Sequence, residues 1–111
     1  MPRTRPNFAR QIEEMLGQEK IEAVVIGRRA NDYSFWTENP PKPPPTPISW
    51  KTARQRLDYD YDDGFGGAAC HAIAVYTSTR IILVSQYDGS TSLFEVQRHP
   101  VAHWPPMPGG G

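Results

Sequence analysis

Cysteine, net charge and long apolar runs are all scarce in this chain, and each scarcity excludes a class of protein. Cys70 is the only cysteine, so the chain cannot form an internal disulfide and fits a reducing cytosol. Twelve basic and twelve acidic side chains cancel, so no overall field draws the chain to nucleic acid or to an anionic membrane. The longest aliphatic runs, 24–26 and 81–84, are too short to cross a bilayer. We expect a cytoplasmic protein that binds neither membranes nor nucleic acid directly.

Proline is absent from the middle of the chain. The twelve prolines fall into three segments: residues 2–6, 40–47 and 100–108. Because proline cannot donate to a β-ladder or continue a helix, we expect regular structure in the proline-free stretch 48–99. A chain of 111 residues supports one modest core. We therefore expect a single domain over 1–111, with a proline-rich loop at 38–48 and an irregular proline and glycine tail at 99–111.

Two segments have the pattern of amphipathic helices. Asn7 is a suitable N-cap for the first helix, and Gly17 is a suitable C-cap. Between them an apolar stripe recurs at helical spacing: Phe8, Ile12, Met15 and Leu16. Ser49 is a suitable N-cap for the second helix, whose apolar face consists of Trp50, Ala53 and Leu57.

Three segments have the β-branched, apolar character of strands: residues 20–27, 71–76 and 80–87. The first has apolar residues on both faces at its centre, so we expect it to be covered on both sides. A further strand is expected around 33–36. The segment 80–87 runs into Asp88-Gly89, a strong signal for a two-residue hairpin turn, which predicts another strand after it.

The predicted hairpin has a definite register. A two-residue turn sets these pairs: Tyr87 with Ser90, Leu83 with Phe94 and Ile81 with Val96. We expect this apolar face to be buried. The opposite face is more polar, with some apolar members: Arg80, Gln86, Thr91, Glu95 and Gln97, with Ile82, Val84 and Leu93. The predicted fold class is α+β, with an N-terminal helix and a short second helix packed on a twisted, mostly antiparallel sheet that ends in a β-meander.

Residues 57–65 form an acidic and aromatic segment. Up to Asp62, apolar or aromatic residues alternate with aspartates, which predicts a strand with carboxylates on one side. The glycines after Asp63 predict a sharp bend. The alternating aspartates fit the start of a calcium loop, but Asp63 stands where such a loop needs glycine, and Ala69 stands where it needs glutamate. A calcium loop is therefore not predicted.

Like charges on one face of a strand repel each other, so these aspartates need a solvated face or a cationic partner. We predict that this segment, called the acidic corner, meets a host protein with a basic surface. Its members are Asp58, Tyr59, Asp60, Tyr61, Asp62, Asp63 and Phe65. Pairing of the aspartates with Arg28 and Arg29 inside the protein is the alternative.

Arginine and aromatic residues follow the first predicted strand. Arginine can hold a phosphate by paired hydrogen bonds, and aromatic rings can stack on a base. The alternative ligand-binding site, for a small nucleotide, consists of Arg28, Arg29, Tyr33 and Trp36. No cofactor is expected, because the glycine-rich residues 64–69 lack the lysine of a phosphate loop and lead into a strand.

His99 and His103 have the spacing of a zinc-binding pair, and Cys70 is the remaining candidate ligand. Cys70 and His71 are neighbours on a predicted strand, so their side chains leave opposite faces and cannot both reach one ion. No catalytic residue is assigned, since no nucleophile signature surrounds Cys70. We expect a protein that is not an enzyme, and a metal- or Cys-dependent hydrolase is the alternative.

Several short motifs occur together between residues 50 and 100. They are W-x-x-A at 50–53, LDYDYDDGFGG at 57–67, Cys-His at 70–71, YDGS at 87–90 and R-x-P at 98–100. This pattern resembles small uncharacterised proteins of phages and prophages. The resemblance implies a phage-encoded inhibitor of host defence in the host cytosol, which would occupy a protein surface or sequester a nucleotide. The resemblance assigns no catalytic residues. A homodimer is possible, and a virion assembly component is the alternative function.

Overall fold

The computed structural model describes residues 7–29, 37, 40, 42–60, 70–87 and 90–107. Within these ranges it has two helices and one four-stranded antiparallel sheet, which confirms the predicted α+β fold. The elements are α1 (Phe8–Leu16), β1 (Ile21–Arg29), α2 (Trp50–Leu57), β2 (His71–Thr77), β3 (Arg80–Tyr87) and β4 (Ser90–Gln97). Neither of these helices is long and apolar enough to cross a membrane. The strand predicted around 33–36 lies outside the described residues.

Both helices begin at the predicted caps. The Asn7 Oδ1 accepts a hydrogen bond from the Arg10 N–H at 3.1 Å, and the Ser49 Oγ accepts one from the Thr52 N–H at 3.4 Å. These side chains satisfy N–H groups that have no partner within the helix. After α1, Gly17 adopts a φ of 61°. A side chain would be strained in this left-handed region, so glycine suits the position.

The extent of α2 corrects the strand predicted from residue 57. Leu57 belongs to the last turn of α2, and Asp58 caps it. Among the described residues of this segment, only Asp60 makes a strand-like contact, an isolated antiparallel bridge to Asn7. The helix prevails because Ala53 and Leu57 are four residues apart, lie on one helical face and are both fully buried.

The four strands follow one another in sequence order across the sheet, and each pairs antiparallel with the next. The predicted register of the last hairpin is confirmed, with these pairs: Tyr87 with Ser90, Leu83 with Phe94 and Ile81 with Val96. On the other side of β3, Ala74 pairs with Leu83 and Tyr76 with Ile81. The predicted β-meander therefore consists of β2, β3 and β4, and β1 pairs with β2 after the longer connection that contains α2.

Both helices pack on one face of the sheet. Val24, Val75 and Ile82 form a row across this face, and all three are 0% exposed. The helices cover the row with their buried residues Phe8, Ile12, Leu16, Ala53 and Leu57. Complete burial of one large aliphatic side chain stabilises a fold by about 1.5–3 kcal/mol. This row is therefore the centre of the core.

The helix-covered face is the one that the hairpin pattern had assigned to solvent. Ile82 is fully buried, and Val84 and Leu93 pack against the core. Leu83 and Phe94, which were predicted to be buried, lie on the opposite face and are half-buried. The predicted register is thus right and the predicted covered face is wrong. Both faces of the hairpin carry apolar residues, so the position of the helices decides between them.

β1 lies at one edge of the sheet, where a single residue of the proline-rich loop joins it. Ile48 and Val24 exchange two backbone hydrogen bonds, of 2.8 and 2.9 Å. The preceding Pro47 has no N–H to donate, which limits the pairing on that side. On the other face of β1, Val25 is only half-buried, so the prediction that this strand is covered on both sides is wrong.

Neighbouring residues of β3 provide a test of which face is covered. We expect Ile82→Ala to lower the free energy of unfolding by about 2–5 kcal/mol, because it opens a cavity in the core. Leu83→Ala should cost at least about 1 kcal/mol less, because its site can fill with solvent. Urea unfolding of both variants at equal concentration measures the difference. Equal losses, or a larger loss for Leu83→Ala, would show that the faces are assigned wrongly.

Candidate binding surface

The face of the sheet opposite the helices, called the open face, consists of alternate residues from all four strands. They are Ala23, Val25 and Gly27 of β1, Ala72, Ala74 and Tyr76 of β2, Ile81, Leu83 and Ser85 of β3, and Ser92, Phe94 and Val96 of β4. The register aligns them in rows across the strands. At the end of one row, a Cβ placed on Gly27 would lie 3.4 Å from the Ala72 Cβ.

The open face carries no charge. None of its twelve residues is ionisable near neutral pH, although 22% of the whole chain is Asp, Glu, Lys or Arg. Ten of the twelve are half-buried, and Ala72 and Ser92 are exposed. None of them belongs to the core or packs against it, since both described helices lie on the other face. The sheet therefore holds a mainly apolar surface that neither of the described helices covers.

Asp58 of the acidic corner has partners within the fold. Its Oδ1 accepts a hydrogen bond from the Asn7 Nδ2 at 3.1 Å, and its Oδ2 lies 3.9 Å from the Arg54 Nη1. Arg54 also donates from Nε to Glu13 Oε1 at 3.2 Å, and this hydrogen bond is the main cause of its raised pKa. Asp58 therefore links the end of α2 to the start of α1. Both Asp58 and Asp60 are exposed.

Tyr59 connects the end of α2 to the start of β2. Its hydroxyl accepts a hydrogen bond from the His71 N–H at 3.0 Å and lies 2.7 Å from His71 Nδ1. The two rings meet edge to face, with centroids 5.6 Å apart. A hydroxyl that accepts from the backbone can donate its own proton to Nδ1 or accept a second hydrogen bond from it, according to the tautomer of His71. Tyr59 therefore has a structural role, because it joins the end of α2 to the start of β2.

The structure describes only part of the other predicted sites. These members lie outside the described residues: Tyr61, Asp62, Asp63 and Phe65 of the acidic corner, and Tyr33 and Trp36 of the nucleotide site. Arg29 is the last residue of β1. Arg28 lines a depression of about 300 Å³ whose other walls are Ile26, Gly27, Lys42, Pro43 and Pro45. The structure thus places a second cation, Lys42, beside the same depression as Arg28. The sequence pattern did not indicate Lys42.

The three candidate metal ligands lie in different surroundings. Cys70 is buried just before β2, at 1% exposure, while His99 and His103 are exposed after β4. The His103 Nδ1 lies 2.9 Å from the Val101 carbonyl oxygen. Within the part of the chain that the structure describes, no three His, Cys, Asp or Glu residues are placed to hold a metal ion.

Arg80 holds α1 to the sheet at the end of the covered face. Its Nε donates to Glu19 Oε1 at 3.0 Å, its Nη1 donates to Glu95, and its Nη2 donates to the Met15 carbonyl oxygen at 2.9 Å. The side chain is only 19% exposed. The Thr79 hydroxyl adds a bond of 2.8 Å to Glu19. These residues, called the Arg80 network, join α1, the segment after it and the last two strands.

The Arg80 network stabilises its own charges. Hydrogen bonds from Thr77, Thr79 and Arg80 lower the pKa of Glu19, because each favours the ionised carboxylate. The hydrogen bond to Glu95 is the main cause that raises the pKa of Arg80. A buried cation without such partners would be strongly destabilising. The network lies on the helix-covered side of the sheet, so it leaves the open face neutral.

The C-terminal segment after β4 exposes further apolar side chains. Trp104 and Met107 are each 94% exposed, and Val101 is 54% exposed. Arg98 fixes the start of the segment, since its N–H donates to the Thr79 carbonyl oxygen at 2.9 Å and its Nη1 donates to Glu22. Beyond this anchor the described segment has no regular structure.

Glu19 makes the stability of the fold depend on acid pH. Its pKa in the unfolded chain is near 4.5 and is lower in the folded protein. Its contribution is therefore complete above about pH 4.5 and is lost as the pH falls through the lower folded value. We expect Glu19→Gln to reduce the loss of stability on acidification, measured as urea midpoints at a series of pH values. Glu14→Gln, exposed on α1, is the control and should keep the wild-type dependence. A wild-type pH dependence in Glu19→Gln would contradict this role.

Removing the Tyr59 hydroxyl tests the contact with His71. We expect Tyr59→Phe to lower the free energy of unfolding by roughly 1–3 kcal/mol, because the His71 N–H loses its hydrogen-bond acceptor in a half-buried place. Tyr76→Phe, on the open face, is the matched control and should cost less. Urea unfolding at neutral pH gives both values. If the two variants lost the same free energy of unfolding, the structural role of the Tyr59 hydroxyl would be contradicted.

No protein-family model, no curated protein and no solved structure matches this chain. A functional assignment therefore depends on the geometry of the chain itself.

Proposed function

We propose that this chain is a non-enzymatic binding protein that occupies the surface of another protein with its open face. The observation that carries the proposal is the set of twelve uncharged residues that spans all four strands. Apolar area left in water is unfavourable, and contiguous apolar patches on protein surfaces mark interaction sites. A sheet holds such side chains in fixed positions, so little conformational entropy is lost on binding.

The acidic corner has a secondary place in this proposal. Asp58 and Tyr59 already bind groups within the fold, and their substitution would disturb the ends of α2 and β2. Asp60 is exposed and can meet a basic surface. The prediction that the acidic corner binds a host protein therefore depends on Asp60 and on the members beyond the described residues.

The proposed setting is that of the phage and prophage proteins which the motifs resemble. In that setting the target is a host defence protein in the host cytosol, and the chain acts as an inhibitor by blocking the target's surface. A virion assembly component is less well supported. Open-ended assembly needs two different complementary surfaces, whereas a single face closes on one partner.

Sequestration of a small nucleotide is the second candidate function. Arg28 and Lys42 line the same depression, and its volume of about 300 Å³ is at the lower end for ligand pockets. Two cations beside apolar walls suit a phosphate with an attached base. A hydrolase that depends on a metal or on Cys70 is the least supported alternative, because Cys70 is buried away from solvent.

Affinity capture with surface variants tests the proposed function. The tagged chain is incubated with a bacterial cell extract, and the captured proteins are quantified for wild type, Leu83→Lys and Asp60→Lys. We expect Leu83→Lys to reduce the captured target by about tenfold or more, because a lysine buried in an apolar interface lacks a partner. Lys51→Glu, exposed on α2, is the control for a change of charge alone and should capture as wild type does.

Two results would contradict this assignment of the surface. The first is that Leu83→Lys captures the target as wild type does while Asp60→Lys does not. The target would then bind the acidic corner and not the open face. The second is a mass excess in native mass spectrometry that disappears on denaturation and in Arg28→Ala. That result would favour the nucleotide function.

A further inference from the structure

We infer that a second copy of this chain covers the open face when no target is bound, in a two-fold symmetric dimer with sheet packed on sheet. The inference rests on the proposed function, because it uses the same face. In addition, we infer that the open face is buried in a reversible homodimer until a target displaces one of the two copies.

The composition of the open face suits a second copy. Homodimer interfaces are more apolar than transient interfaces between different proteins, whose composition resembles ordinary surface. A two-fold interface must also be complementary to itself, and a charged patch would meet its own charge near the axis. The twelve residues of the open face contain no charged side chain. The net charge of the chain is zero, so no overall repulsion separates two copies.

The shape of the open face defines how two copies fit. The half formed by β1 and β2 has mostly small residues: Ala23, Val25, Gly27, Ala72 and Ala74, beside Tyr76. The half formed by β3 and β4 has four larger residues, Ile81, Leu83, Phe94 and Val96, and two small ones, Ser85 and Ser92. A two-fold axis parallel to the strands places β4 of one copy over β1 of the other and β3 over β2. In the middle row, Phe94 then lies over Val25 and Leu83 over Ala74. In the same row, an axis across the strands would place Leu83 on Leu83 and Phe94 on Phe94.

The size of the open face limits the area that two copies can bury. Four strands about 4.8 Å apart and three rows about 6.7 Å apart give a footprint of roughly 380 Å² for each copy. A stable interface of standard size buries about 800 Å² on each partner. An interface of about half that size belongs with weak, transient contacts, so the dimer is reversible and leaves the face accessible to a competing target.

Sedimentation velocity over a range of concentrations tests the dimer. We expect the wild type to shift from monomer to dimer as the concentration rises. Leu83→Lys and Ser92→Lys should each raise the dissociation constant at least about tenfold, because each puts an unpaired charge into the interface. Ser92 is exposed, so that variant keeps the fold even if Leu83→Lys does not. Lys51→Glu is the matched control and should dimerise as wild type does.

Cross-linking between two tagged variants tests the orientation. Val25→Cys and Phe94→Cys are mixed and treated with a bis-maleimide that spans about 10 Å, the distance between packed sheets. We expect cross-links between the two different variants and few between two copies of Phe94→Cys. Cys70 is 1% exposed and contributes little background. Cross-linking only between identical Phe94→Cys chains would overturn the proposed axis.

Three outcomes would overturn the dimer itself. A wild-type monomer at every concentration is one, and dimerisation unaffected by both lysine variants is another. The third is a dimer lost in Trp104→Ala but kept in Ser92→Lys, which would place the interface on the C-terminal segment. If the dimer fails while Leu83→Lys still abolishes target capture, the proposed function stands without it. If the dimer forms and no capture depends on Leu83, the proposed function fails instead.

Discussion

The packing of two short helices on one face of the sheet is the constraint on which the rest of the structure depends. α1 has nine residues and α2 has eight, so each is only about 12–14 Å long. Helices of this length can cover one face of four strands, and both pack on the row of Val24, Val75 and Ile82. The opposite face, equally apolar in its large residues, is covered by neither of these helices.

The charged residues reinforce this division between the two faces. Arg80 reaches from β3 to the end of α1, where it donates to the Met15 carbonyl oxygen, and it also donates to Glu19 and to Glu95 of β4. Carbonyl groups at the end of a helix favour a cation, so this contact stabilises α1 in its position on the sheet. Arg80 and Glu95 both lie on the covered side, and the residues of β3 and β4 on the open face are uncharged.

Local patterns in the sequence predicted the elements and the hairpin register, but not their long-range partners. Asn7, Gly17 and Ser49 act through neighbouring residues, so their roles were visible in the sequence. The covered face of the hairpin was not, because Ile82 and Leu83 are equally apolar and only distant helices distinguish them. The partners of Arg80 and Asp58 likewise come from other elements. Leu57 fitted both a helix and a strand pattern, and burial beside Ala53 decided for the helix.

The accessibility of single cysteines across β3 measures the central claim most directly. Ile82→Cys and Leu83→Cys are each placed in a Cys70→Ser background and treated with a thiol reagent at high dilution, which disfavours any dimer. The structure predicts fast labelling at position 83 and slow labelling, limited by unfolding, at position 82. Fast labelling at position 82 with protection at position 83 would show that the helices cover the other face, and the open face would then not exist.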